Sequence, residues 1–429
     1  MPTVRHQTSL ARTATAVMTA VRPSAPRGRA EGQSIGPARS NWQAHFSRYS
    51  KAITPSAIRA LADMPRAADT IALGPGEPDA TLFPAAEIRA SLDRILADPA
   101  TARAALQYGP SEGDARLRDI IADHMATKGV ACTGEHVLLT NGSQQALHLV
   151  AALLVEPGAT VAVQSPTYPG ALQIFTARGA ALSAIDELER NGGTRPALIY
   201  AMANFRNPTG QSLDASERRA LLLLAERSGS IVVEDDPYDV LRYERDPLPP
   251  LLAMDTGARA IDDARALYLG TFSKSIAPGF RVGWVVGPRE IVAALALMKQ
   301  TEDLQAGTLA QACLADLFER ILAVHAETLR AAYRAKRDAM VAALAGADNF
   351  ATWSVPEGGF FLWLTLPEGV DTKAMLPRAA ANGVTYVPGS AFFHDGRGAN
   401  QLRLSFSGTP EPRIAEGVRR LIATIRDWA

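Results

Sequence analysis

The sequence predicts an α/β protein in which a mainly parallel sheet forms a large domain and a smaller α+β domain follows it. Three observations carry this expectation. From about residue 135 short apolar runs alternate with longer amphipathic ones, the pattern of β/α units feeding a parallel sheet. Five of those runs are followed at once by a compact polar cluster, as expected where strands end in ligand-binding loops. Beyond about residue 325 the alternation stops, and a long Arg/Ala-rich helical pattern leads into two β segments, "GGFFLWLTL" and "LRLSFS".

Taken in order, the first 40 residues contain five arginines before the first acidic residue, Glu31, among Ala, Ser, Thr and Pro. This is the composition of a disordered extension, and it is shared by mitochondrial transit peptides. Residues 41–70 are expected to form an arm or helix contributing to the small domain, 71–325 the large domain, and 326–429 the small one. Strand candidates are "VLL" (137–139), "TVAVQ" (160–164), "ALIYAM" (197–202), "IVVE" (231–234), "ALYLG" (266–270) and "VGWVVG" (282–287). Between the third and fourth lies "LDASERRALLLLAERSG". There Asp214 and Glu217 have capping-box spacing and Gly229 supplies a left-handed stop.

Composition excludes several classes. The 429 residues carry 44 Lys plus Arg and 44 Asp plus Glu, so no net field favours nucleic acid or an anionic membrane. The longest apolar runs are too short to span a bilayer. Cys132 and Cys313 are far apart and match no paired metal or redox spacing, and the seven histidines include no HExxH, so no metal is expected.

The polar clusters carry the chemistry. Asn141-Gly142-Ser143-Gln144 turns from a strand into a helix whose free N–H groups would hold a phosphate. An ordinary turn and cap would read the same way. Ser165 to Tyr168 brings an aromatic ring, and Asn207 to Gly210 forms a polar turn. In "VVEDDPYD", a carboxylate at the end of an apolar strand needs a cationic partner, such as a protonated ring nitrogen; either Asp235 or Asp236 can instead simply open the turn before Pro237. In "GTFSKSIAPGFRVGW", burial and the nearby Arg281 would lower the proton affinity of Lys274, making it a nucleophile toward carbonyls. Phosphate donors, an acid for a pyridine nitrogen, a stacking aromatic and a Schiff-base lysine in consecutive β/α loops are what pyridoxal 5'-phosphate requires.

These residues also carry a resemblance. From about Ser56 to the C-terminus the chain resembles class I/II pyridoxal-phosphate aminotransferases of fold type I, close to the 2-aminoadipate and kynurenine aminotransferase subgroup. The matching stretches include "SAIRAL", "LGPGEPDATLFP", "YGPSEGDARLR", "LTNGSQQALHLVA", "QSPTYPGAL", "NPTG", "EDDPY", "GTFSKSIAPGFRVGW", "PEGGFFLWL", "VPGSAFF" and "LRLSFS", in family order and spacing. The resemblance implies a seven-stranded sheet and a homodimer with shared sites. It makes Lys274 the Schiff-base and acid/base lysine, and Asp235 rather than Asp236 the partner of the pyridinium nitrogen. Asn207 and Tyr238 become donors to the phenolic oxygen and Tyr168 the ring-stacking partner. Gly142, Ser143, Gln144, Ser273 and Arg281 fall at the phosphate, joined there by Tyr108 of a neighbouring subunit. Arg403 matches the arginine that grips the substrate α-carboxylate, and Gly76 a backbone position near the substrate. An alternating edge strand with Arg403, Ser405 and Ser407 facing outward would give the same local pattern.

The chain also departs from the subgroup. Before "NPTG" it has Ala203 where proline is usual and Arg206 where Gln or His is usual, a cation expected beside the site that would alter substrate choice. Gln164 replaces the usual glutamate before "SPTYPG", and "LGPGEPD" replaces the commoner "FAGGLP". The expected activity is transfer of an amino group from a 2-aminoadipate-like, aromatic or branched L-amino acid to a 2-oxo acid, with small-molecule partners only and a cytoplasmic location. The rivals are another fold-type-I reaction, such as C–S lyase, decarboxylase or oxidase, and the ligand-sensing half of a transcription regulator.

Overall fold

The computed structural model describes residues 41–53, 55, 69–191 and 195–428. The extension expected over 1–40, and residues 54 and 56–68 of the arm or helix expected over 41–70, lie outside them. Trp42–His45 form a short 3-10 turn within a separate unit that ends at Phe46. Ser47 to Ala429 form one compact unit that holds every strand found among the described residues.

The strands are β1 (Ile71–Ala72), β2 (Val137–Thr140), β3 (Thr160–Val163), β4 (Ala181–Ala184), β5 (Leu198–Ala201), β6 (Ile231–Asp235), β7 (Ala266–Thr271), β8 (Gly283–Val286), β9 (Thr352–Trp353), β10 (Phe361–Thr365), β11 (Val384–Thr385), β12 (Val387–Pro388) and β13 (Gln401–Ser405). Seven of them form one sheet in the order β2-β8-β7-β6-β5-β3-β4, parallel except for β8, which runs antiparallel to β2 and β7. Helices cover both faces, so β2, β5, β7 and β8 are buried end to end, which is why they read as unbroken apolar runs. All six strand candidates lie in this sheet. The seventh, β4, escapes sequence reading because "ALSA" at the sheet edge has no apolar run: Ala181 is exposed and only Ala184 is buried.

The capping box is present as expected. In helix α1 (Ala215–Ser228) Asp214 accepts from the backbone of Ser216 and Glu217, Glu217 accepts from the Asp214 N–H, and Gly229 closes the helix at φ +69°.

Backbone pairing and one long helix connect the segments expected as the large and small domains. Ile71 and Ala72 pair in parallel with Val384 and Thr385, so the start of the expected large domain is stitched to the C-terminal region. Helix α2 (Thr308–Leu344) runs without interruption through the boundary placed at 325/326. It packs against 85–97 and 115–127 at one end and against helix α3 (Glu411–Trp428) at the other. The C-terminal region is an α+β layer whose four-stranded antiparallel sheet has the order β12-β13-β10-β9. Because β13 lies inside that sheet, Arg403 cannot face outward from an edge, and it is almost fully buried.

Candidate active site

The carboxyl edge of the parallel strands gathers the five polar loops. After β2, Gly142 adopts φ +79° and starts the helix Ser143–Leu154. A Cβ at Gly142 would run into Arg281 Nη2, and one at Gly283 would come within 2.6 Å of the Ser143 backbone nitrogen. The cup formed by a helix N-terminus and a guanidinium therefore admits only bare backbone, as close approach to an anion requires. Arg281, itself at φ +53°, is held by the Pro278 carbonyl at 3.2 Å and donates to Ser273 Oγ at 3.3 Å. Gln144 accepts from the Tyr168 hydroxyl at 3.1 Å, so that ring is fixed beside the same helix start.

Alternation along β6 and into the residue after it separates three consecutive acids, Glu234, Asp235 and Asp236. Asp235 lies on the sheet face that carries Val233 and Tyr200. Its Oδ2 accepts the Tyr200 hydroxyl at 2.7 Å, while its buried Oδ1 has no partner. Burial, reinforced by the adjacent Asp236 and opposed by the Tyr200 hydrogen bond, pushes Asp235 up to about 7. A buried oxygen left without a donor at this edge fits a protonated pyridine nitrogen. Glu234 and Asp236 point to the opposite face. Asp236 accepts from Asn204 Nδ2 at 2.9 Å and from the Tyr268 hydroxyl at 3.2 Å; Glu234 accepts from the Leu251 N–H at 2.8 Å and faces the fully buried Arg218 at 4.0 Å. Glu234 Oε1 and Asp236 Oδ1 are also buried without a hydrogen-bond partner, so it is the sheet face, not the unpaired oxygen alone, that leaves Asp235 as the acid available to a ring.

Lys274 follows β7 and donates to the Gly76 carbonyl at 3.0 Å. Burial, with Arg403 and Arg281 adding repulsion, lowers its proton affinity to about 8, so an appreciable fraction is free amine near neutrality. Arg403 donates Nη2 to the Gly74 carbonyl at 2.6 Å and Nη1 to Asn207 Oδ1 at 2.7 Å. Its guanidinium lies 4.0 Å from the Phe361 ring centroid and 5.1 Å from that of Phe392. Gly76 has no room for a side chain, since a Cβ would sit 2.6 Å from Phe361 Cζ. Tyr238 packs edge-on against Phe360 and Phe361, and burial raises its proton affinity, which keeps it a hydroxyl donor.

Two further residues stand apart from this cluster: Tyr108, which is expected at a neighbouring subunit's phosphate rather than at this one, and Arg206. Tyr108 is 78% exposed and lines a surface cleft with Arg94, Thr101 and Arg116. Arg206 does not point its charge into the cluster. Its guanidinium folds back on its own turn, donating to Thr209 Oγ1 and Gln211 Oε1 at 3.1 Å each, and lines a separate cavity of about 330 Å³ with Gln164 and Glu217. The Ala203 departure is also local, because its carbonyl accepts from the Leu213 N–H and from Arg218. Sequence reading misses Tyr200. Its signal is a lone hydroxyl in the apolar run "ALIYAM", one strand away from an unpaired acid.

The family described as aminotransferase class I and II matches residues 68–421. An aromatic-amino-acid aminotransferase of Thermococcus litoralis is 36% identical over 90% of this chain and 95% of its own. A 2-aminoadipate transaminase of Thermus thermophilus is 34% identical over 89% and 96%. The solved α-aminoadipate aminotransferase of Thermus thermophilus, complexed with N-(5'-phosphopyridoxyl)-L-leucine, superposes with a TM-score of 0.83 at 34% identity, covering 91% of this chain and 99% of that one.

Proposed function

The chain belongs to the class I and II aminotransferases and is a pyridoxal-phosphate-dependent enzyme of fold type I, and on that premise we propose that it transfers the amino group of an L-amino acid to a 2-oxo acid such as 2-oxoglutarate by a ping-pong sequence. The observation that carries this reading is the common anchor of two cations. Lys274 Nζ and Arg403 Nη2 bond to the carbonyls of Gly76 and Gly74, two residues apart in the loop after β1. An amine able to move protons thus stands beside a fork for carboxylate, the pairing that an α-amino acid requires.

When bound, pyridoxal phosphate supplies the carbon that accepts the amino group and the ring that draws electrons from Cα. Gly142, Ser143, Gln144, Ser273 and Arg281 would hold its phosphate, Tyr168 would pack against its ring, Asp235 would pair with the ring nitrogen, and Asn207 and Tyr238 would serve the phenolic oxygen. Arg403 grips the substrate α-carboxylate and so orients the Cα–H bond. The neutral amine of Lys274 then takes the Cα proton and returns it on the other side of the reaction. The names of the relatives favour acidic or aromatic side chains, with branched ones as the further class.

The experiment is an amino-donor panel with 2-oxoglutarate as acceptor. Glutamate should form with at least one acidic or aromatic donor, and double-reciprocal plots at varied acceptor should be parallel. Release of ammonia and a keto acid without any acceptor would instead identify a different reaction on the same scaffold. We also propose a homodimer in which Tyr108 serves the neighbouring site, supported by the exposure of that ring and of Leu106. A cytoplasmic location is supported by the free thiols Cys132 and Cys313, and fractionation of the native host checks it.

A further inference from the structure

We propose that Tyr200 is a positioning residue for the reaction: its hydroxyl holds one oxygen of Asp235 so that the other is presented, ionised, to the ring nitrogen of the cofactor. This rests on the reading of Asp235 as the ring partner.

Tyr200 lies opposite Val233 in the parallel β5–β6 ladder, so its side chain shares a face with Val233 and Asp235. Asp235 lies one pleat further toward the carboxyl edge. Residues two apart on a strand are about 6–7 Å apart, which a phenol can span. The ring is fully buried and fixed edge-on by Phe175, with centroids 5.8 Å apart at 69°. A buried hydroxyl requires an acceptor, and Asp235 Oδ2 at 2.7 Å supplies it.

The arrangement divides the carboxylate. Oδ2 is saturated from within the protein, and Oδ1 is buried without a partner. The terminal torsion of an aspartate is soft, so without the hydroxyl nothing on this face would fix the plane of the carboxylate. The charged and titratable groups around it are few. Asp236 follows it in sequence but is engaged on the other face, and Tyr168 and Tyr238 approach Tyr200 from neighbouring loops. Burial and Asp235 raise the proton affinity of Tyr200 far above that of a free phenol, so it remains a donor at every working pH. As a donor it favours the ionised acid, against burial and Asp236, which favour the neutral one. Without it the carboxyl becomes more basic and competes for the ring proton.

The test uses the loaded enzyme and the apoenzyme of four forms: wild type, Tyr200→Phe, Asp235→Asn and Phe175→Leu. Tyr200→Phe keeps the ring and its packing on Phe175. It should weaken cofactor binding to the apoenzyme about tenfold, the worth of one hydrogen bond to a charged group. It should also displace the pH midpoint of the cofactor's visible band in the same direction as Asp235→Asn, but by less, and lower kcat with little change in KM. Phe175→Leu disturbs the same ring without removing the hydroxyl, and should lower the melting temperature while leaving midpoint and affinity in place. Wild-type midpoint and affinity in Tyr200→Phe, with both altered in Asp235→Asn, would reduce Tyr200 to a packing residue and overturn the proposal. If Asp235→Asn alters neither, the reading of Asp235 falls and the proposal falls with it.

Discussion

At the scale of single residues, burial sets the charge on two titratable groups of the candidate site. A buried acid and a buried amine are shifted in opposite directions, Asp235 to about 7 and Lys274 to about 8, and both shifts increase the population of the neutral form. For Asp235 the sign of the stability effect follows directly. Its folded value lies above the unfolded one, so the native apoenzyme holds a proton that the unfolded chain has lost, and stability falls as pH rises from about 4 to about 7. Asp235→Asn should therefore stabilise the apoenzyme at pH 8, on the order of 2–4 kcal/mol, while making no difference near pH 4. Thermal melts of the apoenzyme at the two pH values check this; equal melting temperatures at pH 8 would show that the site hydrates the acid. Arg403 depends on geometry rather than on its charge alone. Each terminal nitrogen uses one N–H, on Asn207 and on Gly74, which fixes the guanidinium plane over Phe361 and leaves the second N–H of each, with the unpartnered Nε, for a carboxylate. Lysine keeps the charge but loses the fork, so Arg403→Lys should lower kcat/KM about 10²–10³-fold, with the dissociation constant for a 2-oxo acid rising in parallel. A loss below tenfold would mean that the carboxylate is bound elsewhere.

At the scale of elements, the strands that position the site are legible because a sheet covered on both faces leaves uninterrupted apolar runs, and the polar loops follow from where those runs stop. The edge strand β4 is not legible, because half-exposed residues are free to be Ala and Ser. Strand alternation explains why "EDD" is one signal with two meanings: Asp235 turns to the face that carries Tyr200, whereas Glu234 and Asp236 enter a network with Arg218, Asn204 and Tyr268 on the other. Spacing alone cannot assign Tyr200, because its function appears only once β5 is laid beside β6. Arg206 misleads for a related reason. A guanidinium on a tight turn reaches the turn's own Thr209 and Gln211 before it reaches anything across the cleft. Caps, in contrast, are local and can be read from spacing. Asp214 satisfies two backbone donors at the start of α1 and is exposed, far from the chemistry. Asp214→Ala should cost about 1 kcal/mol, seen as a lower denaturation midpoint with unchanged kcat and KM. A change in kcat would mean that α1 transmits its position to the Asn207–Gly210 turn.

For the whole molecule, the segments expected as large and small domains are joined by backbone pairing and by one long helix, which composition does not show because it records how residues pack, not where long elements cross. The pairing of Ile71–Ala72 with Val384–Thr385 and the unbroken α2 tie both sheets into one unit. What this unit lacks is a use for its exposed edge near Tyr108. Leu106 is 67% exposed and Tyr108 78%, beside a surface depression of about 650 Å³ lined by Ile88, Leu92, Phe280 and Leu309. Exposed apolar surface of this kind marks an interaction site, and a second copy related by a two-fold axis would bring two such surfaces together. If Tyr108 reaches the neighbour's phosphate cup, the site is assembled from two chains and can be restored by exchange. Lys274→Ala subunits lack the amine but carry Tyr108, whereas Tyr108→Ala subunits carry the amine but lack the ring. After co-refolding at limiting cofactor, half of the dimers should be mixed and each should hold one complete site, giving about a quarter of wild-type activity. Each variant alone should remain below that level. A monomer in sedimentation equilibrium, or a mixture no more active than its better component, would return Tyr108 to the surface and confine the site to one chain.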